Sequence, residues 1–189
     1  MSEAQAHHGQ RWLSDALAGR TVTPVSGRWA RAGIAVVWRF AAGPEVLLVR
    51  RAERHGDPWS GDMGFPGGFA HAGETGLQAA RRETHEEVGL ELGEPLGRLP
   101  GRRALRSLTR PFVIEPWVFT GDGELTLEKR EIAEAVWLPW SELREPGSVG
   151  RQWLGPLPIP ARTRRIGDYR IWGLTGRVLD ELGDILLST

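Results

Sequence analysis

The chain has 189 residues, a formal net charge of zero and no cysteine, which is length enough for one domain with a sizeable core. Balanced charge gives no overall field to recruit nucleic acid or an acidic membrane, and the lack of cysteine excludes disulfides, thiolate metal sites and cysteine nucleophiles. No apolar run approaches the roughly 20 residues of a membrane span and the N-terminus has no signal-peptide core, so a cytoplasmic protein is expected. Cationic charge is almost all arginine, Lys129 being the only lysine, and arginine is the better bidentate ligand for phosphate.

Residues 3–18 are predicted as a short amphipathic helix with Trp12, Leu13 and Leu17 on one side. Gly19 to Gly27 reads as a connector, so residues 1–28 form an N-terminal segment and 29–189 the domain proper. Trp29 to Phe40 and Glu45 to Arg51, separated by an AAGP turn, read as a β-hairpin. The passage from Ala52 to Glu74 is rich in Gly and Pro, and so long an irregular stretch in a compact domain is usually functional. Within it Gly67 and Gly68 let the backbone approach a ligand closely. A helix follows from Leu77 to Glu87, built of good helix formers and stopped by Gly89.

Leu92 to Leu99 is predicted as a short strand. Pro100 to Arg110 reads as a basic connector holding Arg102, Arg103, Arg106 and Arg110, either a solvated loop or a clamp for phosphates. Pro111 to Thr120 is a clear strand, Leu125 to Leu127 a short one, and Glu131 to Pro139 leads into a short helix at Glu142 to Glu145. Gly147 to Pro160 reads as a loop. Tyr169 to Ile171 and a terminal helix over Ile171 to Leu187 close the chain, the helix placing Leu174, Val178, Leu182 and Ile185 at helical spacing. The nine tryptophans are scattered and read mainly as packing residues. These elements describe a single α/β or α+β domain.

On the helix over 77–87, Glu83, Glu86 and Glu87 fall within an arc of about 100°, beside an apolar arc of Leu77, Ala80, Thr84 and Val88. Carboxylates stacked at i,i+4 repel by a few tenths of a kcal/mol per pair, so such a stripe is either a solvated acidic face or a cation site. Oxygen-only ligands suit Mg²⁺ or Mn²⁺ better than Zn²⁺.

The stretch from Gly68 to Leu90, GFAHAGETGLQAARRETHEEVGL, resembles the Nudix box G-x5-E-x7-R-E-U-x-E-E-x-G-U, where U is bulky and apolar. Gly68, Glu74, Arg82, Glu83, Glu86, Glu87, Gly89 and Leu90 stand at the required spacings, and Thr84 is the one departure. Outside the box the chain resembles the coenzyme A pyrophosphatase branch of that superfamily. The resemblance is carried by LLVRR (residues 47–51), SGDMGFPGG (60–68), PFVIEPWVF (111–119) and IWGLTGRVLDEL (171–182), so it covers about Val46 to Leu187. Trp59 stands where the branch has histidine, Asp62 where it has glutamine, and Gly176 where it has alanine.

The resemblance implies an α/β/α sandwich with a mixed central sheet and hydrolysis of a nucleoside diphosphate linked to another group. Coenzyme A would give 3′,5′-ADP and phosphopantetheine, with ADP-ribose, nucleotide sugars and dinucleoside polyphosphates as alternatives, and a non-catalytic nucleotide sensor as the reading outside enzymes. Glu83 and Glu87, with Glu86 third, are the expected metal ligands, and a Gly67 or Gly68 carbonyl completes the shell. Arg82 is expected to orient carboxylates through Glu74 or Glu86, which makes Glu74, like Gly89, structural. Substrate phosphates would meet Arg51, Arg102, Arg106 and Arg110. The general base stays open among the box glutamates and Glu115, Glu131 and Glu134. The expected partner is a small-molecule nucleoside diphosphate, with no nucleic acid or membrane, and the family's frequent dimers leave a homodimer open.

Overall fold

Strand β1 (Ala30–Arg39) and strand β2 (Glu45–Arg51) divide their apolar side chains between two faces, because successive residues of a strand point to opposite sides. Val36, Trp38, Val46 and Leu48 enter one buried cluster, and Ala35, Val37, Leu47 and Val49 enter another. The sheet is therefore apolar on both faces and must be covered on both. A computed structural model describes residues 3–23, 25, 27, 29–53, 60–105, 111–154 and 157–188.

Helix α1 (Glu3–Leu17) and helix α4 (Gly173–Leu187) cover the first face, with Leu13, Ala16 and Leu17 packed into the same cluster as Val178, Leu182 and Ile185. Helix α2 (Gly76–Val88) covers the second face through Ala80 and Val88. The result is an α/β/α sandwich. The N-terminal helix packs into this core, and the Trp12 ring meets Trp38 edge-on at 6.2 Å.

The sheet also contains β3 (Met63–Gly64), β4 (Gly67–Phe69), β5 (Gly97–Arg98), β6 (Arg102–Leu105), β7 (Pro111–Thr120) and β8 (Ile132–Pro139). Its path runs β3-β2-β1-β7-β5, with β4 on β1, β6 on β7 and β8 on β2. The β1–β7 pair is parallel over Ala30↔Phe112 to Trp38↔Thr120, and the other pairs are antiparallel, so the sheet is mixed. After β8 come a one-turn helix α3 (Trp140–Leu143) and a separate antiparallel sheet of β9 (Ser148–Leu154), β10 (Leu157–Ile166) and β11 (Tyr169–Trp172). Among the described residues no helix is long and apolar enough to cross a membrane.

Several expectations are corrected. The strand expected over Leu92–Leu99 shrinks to the two residues of β5. Part of the basic connector is strand, with Arg102 opposite Ile114 and Leu105 opposite Pro111. The short helix starts at Trp140 rather than Glu142, because Trp140 N–H donates to Pro44 O and Arg144 N–H closes the turn on Trp140 O. Residues 125–127 form no strand: Thr126 N–H donates to Val88 O and Glu128 N–H to Glu87 O, which serves the carbonyls ending α2. The expected loop over Gly147–Pro160 is instead most of the β9–β10 hairpin. Pro158 and Pro160 are tolerated there because this half of β10 pairs with β9 alone, while β11 joins only at Thr163–Ile166.

Candidate active site

The site is built where α2 meets β4. Thr75 caps the helix: its hydroxyl accepts from Gln78 N–H, while the Gln78 side chain accepts from Thr75 N–H. This reciprocal pair contributes about 1 kcal/mol to helix stability. At the other end Gly89 adopts the left-handed conformation (φ 72°) and donates to His85 O. Thr84, the departure from the box pattern, is fully buried and satisfies its hydroxyl on Ala80 O at 2.7 Å, so the methyl packs like the apolar residue the pattern asks for.

Arg82 is the hub of the acidic stripe. Its Nε and one Nη hold the two oxygens of Glu74, each at 3.0 Å, and that same Nη also reaches Phe69 O at 3.1 Å. The remaining Nη donates to Glu83 at 2.9 Å and Glu86 at 3.0 Å. This set of anions pushes the guanidinium pKa further up, and the Arg82 hydrogen bond holds the Glu74 carboxyl below its usual value. Glu74 also accepts from His71 N–H at 2.8 Å, so it ties the loop before the helix to the hub.

Glu87 is of another kind. It is 4% exposed and accepts from Gly67 N–H at 2.9 Å. Burial pushes its pKa up to about 8; the Gly67 bond and the Arg51 charge oppose this, while Glu83 and Glu131 add to it. Glu83 lies directly under β4, where a Cβ built on Gly68 would stand 2.4 Å from the Glu83 carboxyl carbon. Gly67 has φ 144° and its Cβ would meet Gly33 O at 2.3 Å, so Gly67 cannot carry a side chain, and one on Gly68 would force Glu83 aside. Gly68→Ala is therefore expected to displace Glu83 and lower kcat about 100-fold, with a higher Mg²⁺ requirement, whereas Gly93→Ala, in open space, should match the parent in a metal titration of activity.

Among the described residues no group of three or more acidic or imidazole side chains is placed to hold a metal ion. What fits a divalent cation is a buried carboxylate, Glu87, raised in pKa by burial and by the neighbouring Glu83 charge, with the Gly67–Gly68 backbone alongside. A cation relieves both causes at once, and carboxylate oxygens are its natural ligands.

The expected phosphate ligands fare differently. Arg51 ends β2 close enough to bear on Glu87. Arg102 does not join it: it pairs with Glu181 of α4 at 2.5 Å, on the face of the sheet opposite α2. Arg106 and Arg110, like Trp59, lie outside the described residues. Of the later acids, Glu115 is 6% exposed and paired with Arg31 at 2.5 Å, underneath Gly76 at the start of α2. Glu134 binds Arg50 and accepts from the Tyr169 hydroxyl at 2.6 Å, a bond that pushes the tyrosine pKa up. Glu131 is exposed and stands near Glu87. The Glu115–Arg31 pair escaped sequence reasoning because its partners lie 84 residues apart. The capping box also escaped that reading, although T-x-x-Q (Thr75, Gln78) before the apolar arc is its signal.

Comparison with known proteins adds the family context. The NUDIX domain model matches residues 29–154. An uncharacterised protein of Schizosaccharomyces pombe is 33% identical over 112 residues, covering 54% of this chain and 34% of that one. An NAD-capped RNA hydrolase NudC of Haemophilus influenzae is 31% identical over 125 residues, 58% of this chain and 42% of the relative. The chain thus spans less than half the length of either. Among solved structures, a C. elegans Ap4A hydrolase superposes with a TM-score of 0.56 at 19% identity, over 85% of this chain and 99% of that one, a likeness of fold.

Proposed function

The chain belongs to the Nudix family, whose members generally use divalent metal ions, and we propose that it is a metal-dependent pyrophosphohydrolase cleaving a nucleoside diphosphate linked to a second group, with coenzyme A or its derivatives as the favoured substrate. The observation that carries this reading is the buried Glu87, fixed on Gly67 N–H beside Glu83 and beneath the two glycines of β4. When bound, a divalent cation, Mg²⁺ or Mn²⁺ for an all-oxygen donor set, neutralises the diphosphate and makes a water more acidic. Glu83 and Glu87 would hold it, with Glu86 as a third ligand and a Gly67 or Gly68 carbonyl completing the set.

Arg82 holds Glu83 and Glu86 in place, each through one oxygen, leaving their other oxygens for the cation. Glu74 aligns Arg82 through the bidentate pair. Arg51 receives phosphate oxygens beside Glu87. For the base, the candidates are a box glutamate, Glu115, Glu131 and Glu134, of which Glu115 and Glu134 each hold an arginine. Coenzyme A is favoured because the two flanking segments resembling its branch meet in space: Trp172 and Thr175 bond to Asp62 and Met63, just ahead of the box.

The test is product chromatography of the pure protein with Mg²⁺ or Mn²⁺, given coenzyme A, ADP-ribose and NAD-capped RNA in parallel; the last is included because of the name of the Haemophilus relative. 3′,5′-ADP from coenzyme A at the highest kcat/KM is the expected result. AMP from ADP-ribose, with coenzyme A untouched, moves the substrate but keeps the chemistry. Release of a 5′-monophosphate RNA end would make nucleic acid a substrate. No cleavage of any of them overturns the proposal.

A further inference from the structure

The family model ends at residue 154, yet the chain beyond it is joined to the segment that enters the site. Trp172, at the end of β11, donates its indole N–H to Asp62 Oδ1 at 2.9 Å, and Arg170 on the same strand donates to the same oxygen at 3.1 Å. One turn into α4, the Thr175 hydroxyl donates to Met63 O at 3.1 Å. Asp62 in turn accepts from Arg51 N–H through its backbone carbonyl at 3.2 Å, and Gly61 N–H donates to Arg51 O at 3.2 Å. Arg51 sits at a bulge in the β2–β8 pairing, where the register shifts between Arg50 and Arg51. A bulge re-aims a side chain and weakens the ladder that would otherwise hold it.

We infer that Asp62 is a positioning residue, which uses the β11–α4 corner beyond the family domain to fix the backbone of Arg51 and the approach to Gly67. The carboxylate suits the post because both side chains facing its Oδ1 are donors, one neutral and one cationic. Its side chain is largely buried, so the Trp172 bond is shielded from competition by water. Five residues on, the chain reaches Gly67, whose N–H holds Glu87. The corner therefore sets both the cation beside the carboxylate stripe and the peptide that anchors its buried member. This inference rests on the pyrophosphohydrolase reading for its kinetic consequences but not for its structural ones.

Three variants separate these. Asp62→Ala removes the acceptor, Asp62→Asn keeps an oxygen for Trp172 without the charge, and Trp172→Phe removes the indole donor while leaving Arg170 in place. Two quantities are read: kcat and KM for the diphosphate substrate, and NMR-detected amide exchange at Arg51 and Gly67 in the metal-free protein. Asp62→Ala is expected to speed exchange at both amides at least about tenfold, with β1 amides unchanged, and to lower kcat/KM by a similar factor, mainly through KM. Asp62→Asn should restore most of both, and adding Trp172→Phe to Asp62→Ala should make neither quantity worse than Asp62→Ala alone. Unchanged exchange at Arg51 and Gly67 would overturn the inference, as would acceleration spread equally through β1, which marks a general loss of stability. If the parent protein cleaves no diphosphate, the functional proposal fails, and the exchange measurements still decide the role of Asp62.

Discussion

Glu87→Gln is expected to abolish turnover while making the metal-free protein more stable than its parent at pH 8.5. The first half follows if Glu87 is a metal ligand, because a lost ligand removes several kcal/mol of transition-state stabilisation, or about 10³-fold in rate. The second half follows from its environment. The Glu87 pKa is raised from 4.5 to about 8 by burial, so the folded protein keeps a proton that the unfolded chain releases. Stability from this group is complete below about pH 4.5 and is lost as pH rises towards 8. At about 1.4 kcal/mol per pKa unit the loss is of order 4–5 kcal/mol. Glutamine accepts the Gly67 N–H bond equally well and has no proton to lose.

Melting curves in EDTA should therefore show parent and variant alike at pH 4.5 and the variant higher at pH 8.5. Addition of Mg²⁺ should reverse the order at pH 8.5, since a ligand that binds only the folded state stabilises the parent alone. A variant that melts no higher than the parent at pH 8.5 in EDTA would count against the buried-carboxylate account. Full activity in the variant would remove Glu87 from the chemistry.

Arg82→Lys is expected to be nearly as damaging for activity and to destabilise the fold, despite keeping the charge. An ammonium is a point donor and cannot span the two oxygens of Glu74 while reaching Glu83, Glu86 and Phe69 O. Loss of charge-assisted hydrogen bonds at a partly buried hub costs about 2–3 kcal/mol, and misplaced carboxylates lower kcat by about 100-fold. The pH dependence has a sign of its own. Arg82 holds the Glu74 pKa down, so the stability it lends is present above about pH 4.5 and is lost as pH falls through the lowered folded value. The stability gap between parent and variant should thus be widest near pH 7 and narrow towards pH 3. A gap constant across that range in denaturant titrations would show that Glu74 is not what the guanidinium secures.

The features that were legible in the sequence are those whose partners lie close along the chain. The acidic stripe, the helix beneath it and its Gly89 stop occupy consecutive turns, and spacing alone puts them together. Leu13 and Leu17 were readable as one side of a helix, but nothing local says that their counterpart is Trp38 and α4. Arg102 belongs to a charge run that looks the same whether its members face phosphate or an acidic helix; its partner, Glu181, lies 79 residues away. Pro158 and Pro160 looked like loop punctuation, since the sequence does not say on which side β10 has a neighbour. Asp62, read as a departure from the resembled pattern, has its explanation in Trp172 and Arg170, over 100 residues downstream.

The parallel pairing of β1 with β7 also governs how the molecule comes into being. Residue 30 must find residue 112 before the ladder can close, and pairings of such long sequence separation are slow to nucleate. The whole box, from Gly68 to Leu90, lies inside the loop that this pairing closes. Until β7 has left the ribosome and docked, α2 has only part of its sheet to rest on, because Glu115, the residue beneath Gly76, arrives with β7. Its charges then have a second use, since an incompletely covered helix bearing Arg81, Arg82, Glu83, Glu86 and Glu87 resists association with other nascent chains. The stripe proposed to hold a cation in the finished protein is then a run of charge on the unfinished one.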